Sequence, residues 1–170
     1  MQRPDASEYH ANYQKYFDLV TTGDYLHILE QNTIETAEFF DTIPLEKHDY
    51  RYAERKWTIK EVAMHIIDTE RVFTYRALAA ARGDTAPVYR MDEELYAGNV
   101  DVSDRSLEDL ISEFKTVRNA TAFLFKNMTD EQSKRCCNVV THPMSARAIG
   151  YFIIGHVLHH IGVVRIRYLP

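Results

Sequence analysis

Two histidines near the carboxyl end of this 170-residue chain have the chemistry and the spacing to bind one cation. His156 and His160 lie four residues apart in a segment with the helical period, so their imidazoles fall about one turn apart on the same face. That face also carries Ile149, Ile153 and Val163, which makes it an apolar seam. Because unpartnered polar rings cost free energy on such a seam, the pair predicts a metal site or a buried polar network.

A third candidate ligand lies on a different helix. His65 is adjacent to the apolar stripe that contains Ile66 and Phe73. His159 is rotated about 100° from its neighbour on a helix of about 3.6 residues per turn, which predicts a place beside the site or at the surface. The remaining histidines are predicted to be hydrogen-bonded core or surface residues: His10, His27, His48 and His142.

The elements that must position these histidines are four long helices. Apolar residues recur at three- and four-residue spacing in stretches that lack proline, and they predict helices at 24–42, 58–83, 106–127 and 145–168. Thr58 with Glu61 forms a capping box, and Gly83 ends the same helix. No alternation is long enough for a sheet. The prediction is therefore an all-α four-helix bundle in antiparallel order, with short helices at about 8–20 and 91–96.

Composition restricts the class of protein. Hydrophobic residues make up 45% and charged residues 26% of the chain, which is typical of a globular protein and predicts one domain over 1–170. The net charge of −5 argues against nucleic acid as a partner. We expect no membrane span, and a cytoplasmic location, because no signal-peptide core is visible. Cys136 and Cys137 are adjacent and cannot close a loop, so they are predicted to be small, partly buried residues of a connection.

Several motifs together resemble one known family. Residues 56–78 read KWTIKEVAMHIIDTERVFTYRAL, ARGD follows at 81–84, and GHVLHH occupies 155–160. The combination resembles the DinB/YfiT-like superfamily (the DinB-like domain), and the resemblance runs from about Tyr25 to Leu169. The segment Val88–Asp92 departs from it, because it replaces a turn that is more usually Pro-Gly-Phe-like.

The resemblance implies a fold and a ligand set. Members of the superfamily are four-helix bundles with three metal-binding histidines, one on the second helix and two on the last, which correspond here to His65, His156 and His160. The implied cofactor is one divalent transition-metal ion, nickel or zinc in the first place and manganese or iron in the second. The resemblance, with the apolar helices, also predicts a homodimer.

Three imidazoles leave a coordination position open, as at catalytic zinc sites. Three functions are then open: hydrolysis of a small substrate by metal-bound hydroxide, S-transfer or isomerisation with a low-molecular-weight thiol, and metal binding by a stress protein without turnover. Asp68, three residues after His65, is the candidate catalytic residue, either as a base or as an acceptor from an imidazole N–H.

Other polar and aromatic side chains are weaker candidates. Glu70 and Arg76 are predicted to form structural ion pairs. Three tyrosines are candidate pocket residues: Tyr75, Tyr96 and Tyr151.

Overall fold

The computed structural model describes residues 1–138 and 142–169 of the chain. Within these ranges the helices are α1 (Gln14–Phe17), α2 (Tyr25–Asp41), α3 (Ile59–Arg82), α4 (Glu93–Asn99), α5 (Leu107–Lys126), α6 (Asp130–Lys134) and α7 (Ala146–Arg167). Short 3-10 turns lie at Ala6–Glu8, Ala11–Tyr13 and Leu45–Lys47. The long helices α2, α3, α5 and α7 form the bundle, which confirms the predicted fold class and the extra short helices.

The ends of the long helices are set by local capping. The Thr58 hydroxyl accepts from the Glu61 amide and the Glu61 side chain returns the bond, so the predicted capping box of α3 is present. Ser106 caps α5 and Ser145 caps α7, each by accepting from the amide three residues on. Gly83 ends α3 at φ +72°, a left-handed conformation that favours glycine.

Side-chain pairs give the direction of each helix in the bundle. Between α3 and α7, Phe73 meets Phe152 while His65 meets His156, so these helices are antiparallel. Between α3 and α5, Arg71 bonds Glu113, Glu70 bonds Arg118 and Thr74 bonds Thr121, so these helices are parallel.

The sequence predicted that the four long helices are antiparallel. This prediction is wrong for α3 and α5, which run in the same direction. The residues from 83 to 106, which contain α4, carry the chain back along the bundle, so α5 starts at the same end as α3. Such a long connection allows two consecutive helices to run in the same direction, which a short loop does not.

The core consists of two apolar clusters, one toward each end of the bundle. One contains Phe40, Ile59, Leu110 and Val164, and the other contains Phe17, Tyr25, Phe125 and Ile149. Not every large apolar side chain of the long helices enters these clusters: the exposed fraction is 45% for Ile34 of α2 and 58% for Phe123 of α5.

The amino-terminal segment packs on the last helix of the bundle. A Cβ at Gly155 of α7 would stand 2.2 Å from the carbonyl oxygen of Tyr16, so only glycine lets α1 approach this closely. Glu8 accepts hydrogen bonds from Ser145 and Arg147 at the start of α7. These contacts hold residues before α2 beside the histidines of α7.

A short hairpin lies between α6 and α7. The strands β1 (Cys136–Cys137) and β2 (Met144–Ser145) are antiparallel. No sheet was predicted, because two-residue strands are too short to show alternation. Cys137 is buried and Cys136 is exposed.

Helix α7 is long and apolar enough, by length and composition, to cross a membrane. The sequence interpretation did not anticipate this. In the fold, 61% of the most apolar window of α7 is buried within the protein, which is the burial of a core helix.

Candidate metal centre

Three histidines from two antiparallel helices meet inside the bundle. The Nε2 atom of His156 lies 3.2 Å from Nε2 of His65 and 3.1 Å from Nε2 of His160. One ligand atom from each residue lies within 4.8 Å of the other two. His65 and His156 are buried, with 6% and 5% of their surface exposed, and His160 is half-buried.

Two of the three nitrogen–nitrogen separations fit a shared ion. With metal–nitrogen distances of about 2.0–2.1 Å, tetrahedral angles separate two ligand nitrogens by about 3.3 Å and right angles by about 2.9 Å. The two measured separations fall between these limits. Each of these two pairs can therefore share a four-coordinate or a six-coordinate ion, and the ligand atoms of His65 and His160 lie within 4.8 Å of each other.

The chemistry of the imidazole nitrogens also favours a shared cation. Nε2 of His156 faces two other imidazole nitrogens, but one ring nitrogen has either one N–H or one in-plane lone pair. This nitrogen therefore cannot form a good hydrogen bond to each of its two neighbours at the same time. A cation that accepts all three lone pairs satisfies the arrangement better than a hydrogen-bonded network of neutral rings.

Burial keeps these imidazoles in the neutral form that binds metals. Desolvation lowers the pKa of His65 from 6.5 to about 4. Desolvation and the neighbouring imidazoles hold the pKa values of His156 and His160 well below the usual range. At neutral pH each ring is therefore uncharged and has one unprotonated nitrogen that can bind a metal.

Aromatic rings enclose the histidines on several sides. The Trp57 ring, just before α3, has its centroid 4.7 Å from that of His65. The Phe152 ring lies 5.4 Å from His156, and the Tyr16 ring lies 6.0 Å from the same imidazole. These apolar surfaces limit the access of bulk water to the site.

A cleft of about 450 Å³ opens beside His156. Its volume lies within the range of about 300–1,000 Å³ that is usual for sites binding small molecules. Its lining comes from the amino-terminal segment, from α3 and α7, from residues 90–93 at the start of α4, and from His142. The lining residues are His10, Asn12, Tyr13, Lys15, Tyr16, Thr69, Phe73, Arg76, Arg90, Met91, Glu93, His142, Phe152 and His156.

The other predicted site residues occupy different places. The Asp68 carboxylate lies 3.5 Å from Nη1 of Arg71 and has no hydrogen bond to an imidazole in the described part of the chain. Burial raises the pKa of Asp68, while Arg71 opposes that shift. Its catalytic role stays a prediction. The His159 ring contacts Tyr16, with 5.3 Å between centroids, beside the cluster as expected.

Of the two residues predicted to form structural ion pairs, one does so among the described residues and the other does not. Glu70 pairs with Arg118 in the interior, which agrees with the prediction. Arg76 has no carboxylate partner among the described residues and lines the cleft. The three candidate tyrosines are not among the residues that line this cleft: Tyr75, Tyr96 and Tyr151.

Several cleft residues were not recognised from the sequence. His10 and His142 stack with their ring centroids 3.8 Å apart, although both were interpreted as unremarkable polar residues. Tyr13 and Lys15 come from a segment about 50 residues before the nearest predicted ligand, His65. A local pattern could not place them, because their position depends on how the amino-terminal segment docks on α7. The place of Trp57 beside the site could be expected from the sequence, because Trp57 directly precedes Thr58, the N-cap of the helix that contains His65.

Comparison with known proteins places the chain in a family. The profile of the DinB superfamily matches residues 28–164. No protein of curated function matches the sequence. Among solved structures, the chain is similar to YfiT from Bacillus subtilis, described as "a probable metal-dependent hydrolase with an unusual four-helix bundle topology". The TM-score is 0.71 at 16% identity, over 94% of this chain and 87% of YfiT.

A second similar structure is the DinB-like protein YjoA, also from Bacillus subtilis, with a TM-score of 0.59 at 19% identity. That match covers 85% of this chain and 88% of YjoA. At these identities the two structures support the fold, while the profile extends over most of the bundle. The chain therefore belongs to the DinB superfamily.

Proposed function

We propose that this protein is a metal-dependent hydrolase that holds one divalent transition-metal ion with His65, His156 and His160. The convergence of three neutral imidazoles, two of them buried and one half-buried, carries the proposal. The description of YfiT as a probable metal-dependent hydrolase supports the same class of reaction. We propose nickel or zinc as the ion, with manganese or iron as alternatives, because imidazole is a good ligand for each of them.

A divalent ion held by three imidazoles has at least one open coordination position and can lower the pKa of a water molecule bound there. The chain supplies the remaining parts of such a site. Trp57 and Phe152 pack against the ligands and fix the planes of their rings. The cleft beside His156 gives a small substrate a route to the ion. Asp68, three residues after His65 on α3, remains the proposed base.

Metal analysis tests the ligand set directly. The wild type should bind about one ion per chain after purification and dialysis, measured by plasma mass spectrometry. Alanine replacement of any of the three histidines should reduce the bound metal at least tenfold, because each supplies one of three ligands. His159→Ala is the matched control, since His159 is on the same helix and contacts Tyr16 instead. Equal metal content in all five proteins would refute the site.

Activity assays test the reaction class. Ester, amide and phosphoester substrates should be hydrolysed by the metal-loaded protein with water alone, and His156→Ala should be inactive. Turnover that appears only after a low-molecular-weight thiol is added would show that the reaction is S-transfer and not hydrolysis. Metal binding without turnover in either assay would indicate a metal-binding protein that is not an enzyme.

A further inference from the structure

One buried arginine at the cleft lacks the partner that the other buried arginines have. Arg118 bonds to Glu70, and Arg147 bonds to Glu8, so each of these guanidinium groups meets a carboxylate. Arg76 is equally buried, with 3% of its surface exposed, but no carboxylate pairs with it in the ranges that the structure describes. A buried charge without a counter-ion is costly, so this position calls for a separate explanation.

The contacts of Arg76 leave part of its guanidinium group free. Its Nη2 donates to the carbonyl oxygen of Tyr89 at 2.7 Å, and its guanidinium carbon lies 4.5 Å from the centre of the Phe73 ring. Among the residues that the structure describes, none forms a hydrogen bond with the buried Nε. Burial lowers the pKa of Arg76, yet arginine stays charged at neutral pH. The cleft therefore contains a fixed positive charge with unused donor capacity.

Arg76 lies on the same helix as His65 and on the same face of it. It follows His65 by 11 residues, which is about three helical turns, or about 16 Å between Cα atoms, on the same face of α3. Thr69 and Phe73 line the cleft between them.

The remaining charges of the cleft are also mostly positive. Lys15 and Arg90 line it together with Arg76, and Glu93 is the one carboxylate among the described lining residues. The cleft is cationic although the whole chain has a net charge of −5. Walls of one charge concentrate ligands of the opposite charge.

We infer that the cleft binds a substrate that carries an anionic group, a carboxylate or a phosphate, and that Arg76 recognises this group. Guanidinium donors match the oxygens of both groups and bind them through charge-assisted hydrogen bonds. Lys15 and Arg90 strengthen the attraction from the rim. The anion lies toward the Arg76 end of the cleft and leaves the reacting end of the molecule near His156. This inference rests on the metal-dependent function proposed above and specifies its substrate class.

A purely structural role for Arg76 makes a different prediction. In that role, its bond to Tyr89 would tether the connection after α3, and Arg76→Met would lower the melting temperature. In the anion-binding role, the same change removes an uncompensated buried charge, so the ligand-free variant should melt at the same temperature or higher.

Calorimetric titration of the metal-free protein with inorganic phosphate, and separately with succinate, tests the inference without turnover. We expect millimolar or tighter binding of at least one probe by the wild type. Arg76→Met should weaken it at least tenfold, and Arg76→Lys should weaken it less. The control is Arg82→Met, an exposed arginine at the end of the same helix, which should change the affinity less than twofold. The preferred probe identifies the anionic group.

The outcomes separate this inference from the proposed function. Binding of neither probe, or equal binding by Arg76→Met, would overturn the anion site and leave the metal site intact. A lower melting temperature of Arg76→Met together with unchanged anion affinity would assign Arg76 a structural role. Anion binding that persists in His156→Ala, with no metal bound to the wild type, would support the anion site and refute the metal function.

Discussion

Breaking the buried ion pair between α3 and α5 should strongly destabilise the protein. Nε of Arg118 lies 2.9 and 3.0 Å from the two carboxylate oxygens of Glu70, and both side chains are 2% exposed. Nη1 of Arg118 donates to the Asn32 side chain at 2.7 Å. Among the described residues, Glu70→Met would leave the buried guanidinium group with this neutral hydrogen-bond partner and the face of the Phe114 ring, 4.9 Å away, but no counter-ion, which costs about 3–5 kcal/mol.

The corresponding loss of thermal stability is large enough to measure. For a domain of this size each kcal/mol lowers the melting temperature by about 2–4 °C, so Glu70→Met should lower it by about 6–20 °C. Arg118→Met should have a similar effect, because it isolates the carboxylate. The double variant should cost less than the sum of the two by about 2–3 kcal/mol, since no unpaired charge remains.

Urea unfolding of the metal-free proteins, followed by circular dichroism, measures these free energies. Glu113→Met is the matched control, because Glu113 bonds Arg71 and Arg105 near the surface of the same helices. Such exposed pairs contribute up to about 1 kcal/mol. Equal losses for Glu70→Met and Glu113→Met, or additive losses in the double variant, would refute the argument from desolvation.

Acid should destabilise the metal-free protein, because burial lowers the pKa of His65 from 6.5 to about 4. As the pH falls, His65 of the unfolded chain is protonated before His65 of the folded protein. His65 therefore costs no stability above about pH 6.5 and lowers the free energy of unfolding by up to about 3 kcal/mol as the pH falls to about 4. The urea concentration at the midpoint of unfolding should fall less with pH in His65→Leu than in the wild type. Gly155→Ala should speed amide exchange in α1 and cost about 1–3 kcal/mol, since its Cβ would stand 2.2 Å from the Tyr16 carbonyl oxygen. At Gly162, also inside α7, a Cβ meets no atom of the described residues within 4 Å, so Gly162→Ala should instead stabilise the helix by about 0.5–1 kcal/mol. Zinc or nickel at 100 times its Kd should stabilise the wild type by about 2.7 kcal/mol in calorimetric melting, and an equal gain in His160→Ala would contradict the proposed ligand set.

Much of the bundle was predictable because the signals are local. Thr58, Ser106 and Ser145 begin their helices where the sequence predicted, since a cap depends on residues within one turn. The direction of α5 was not predictable, because it depends on the path of a long connection. The homodimer and the cytoplasmic location remain predictions.

The composition of the cleft also required the fold. Arg76 looks like an ordinary helix-surface cation in the sequence, and the absence of a carboxylate around it among the described residues depends on the packing of other segments. Lys15 reaches the cleft because Gly155 lets the amino-terminal segment approach α7. These contacts join residues that are distant in the chain, so no spacing rule reveals them.

The sequence by itself determined that His156 and His160 share one face of an apolar helix, because four residues span about one helical turn. Its place beside an apolar stripe made His65 a candidate, and the family resemblance joined it to the pair as the third ligand. The tertiary structure brought His65 to the pair across 91 residues of chain, through the antiparallel packing of α3 on α7. It also decided that the cleft beside them is cationic. Helical periodicity is a property of neighbouring residues, whereas a shared site depends on the packing of the whole bundle.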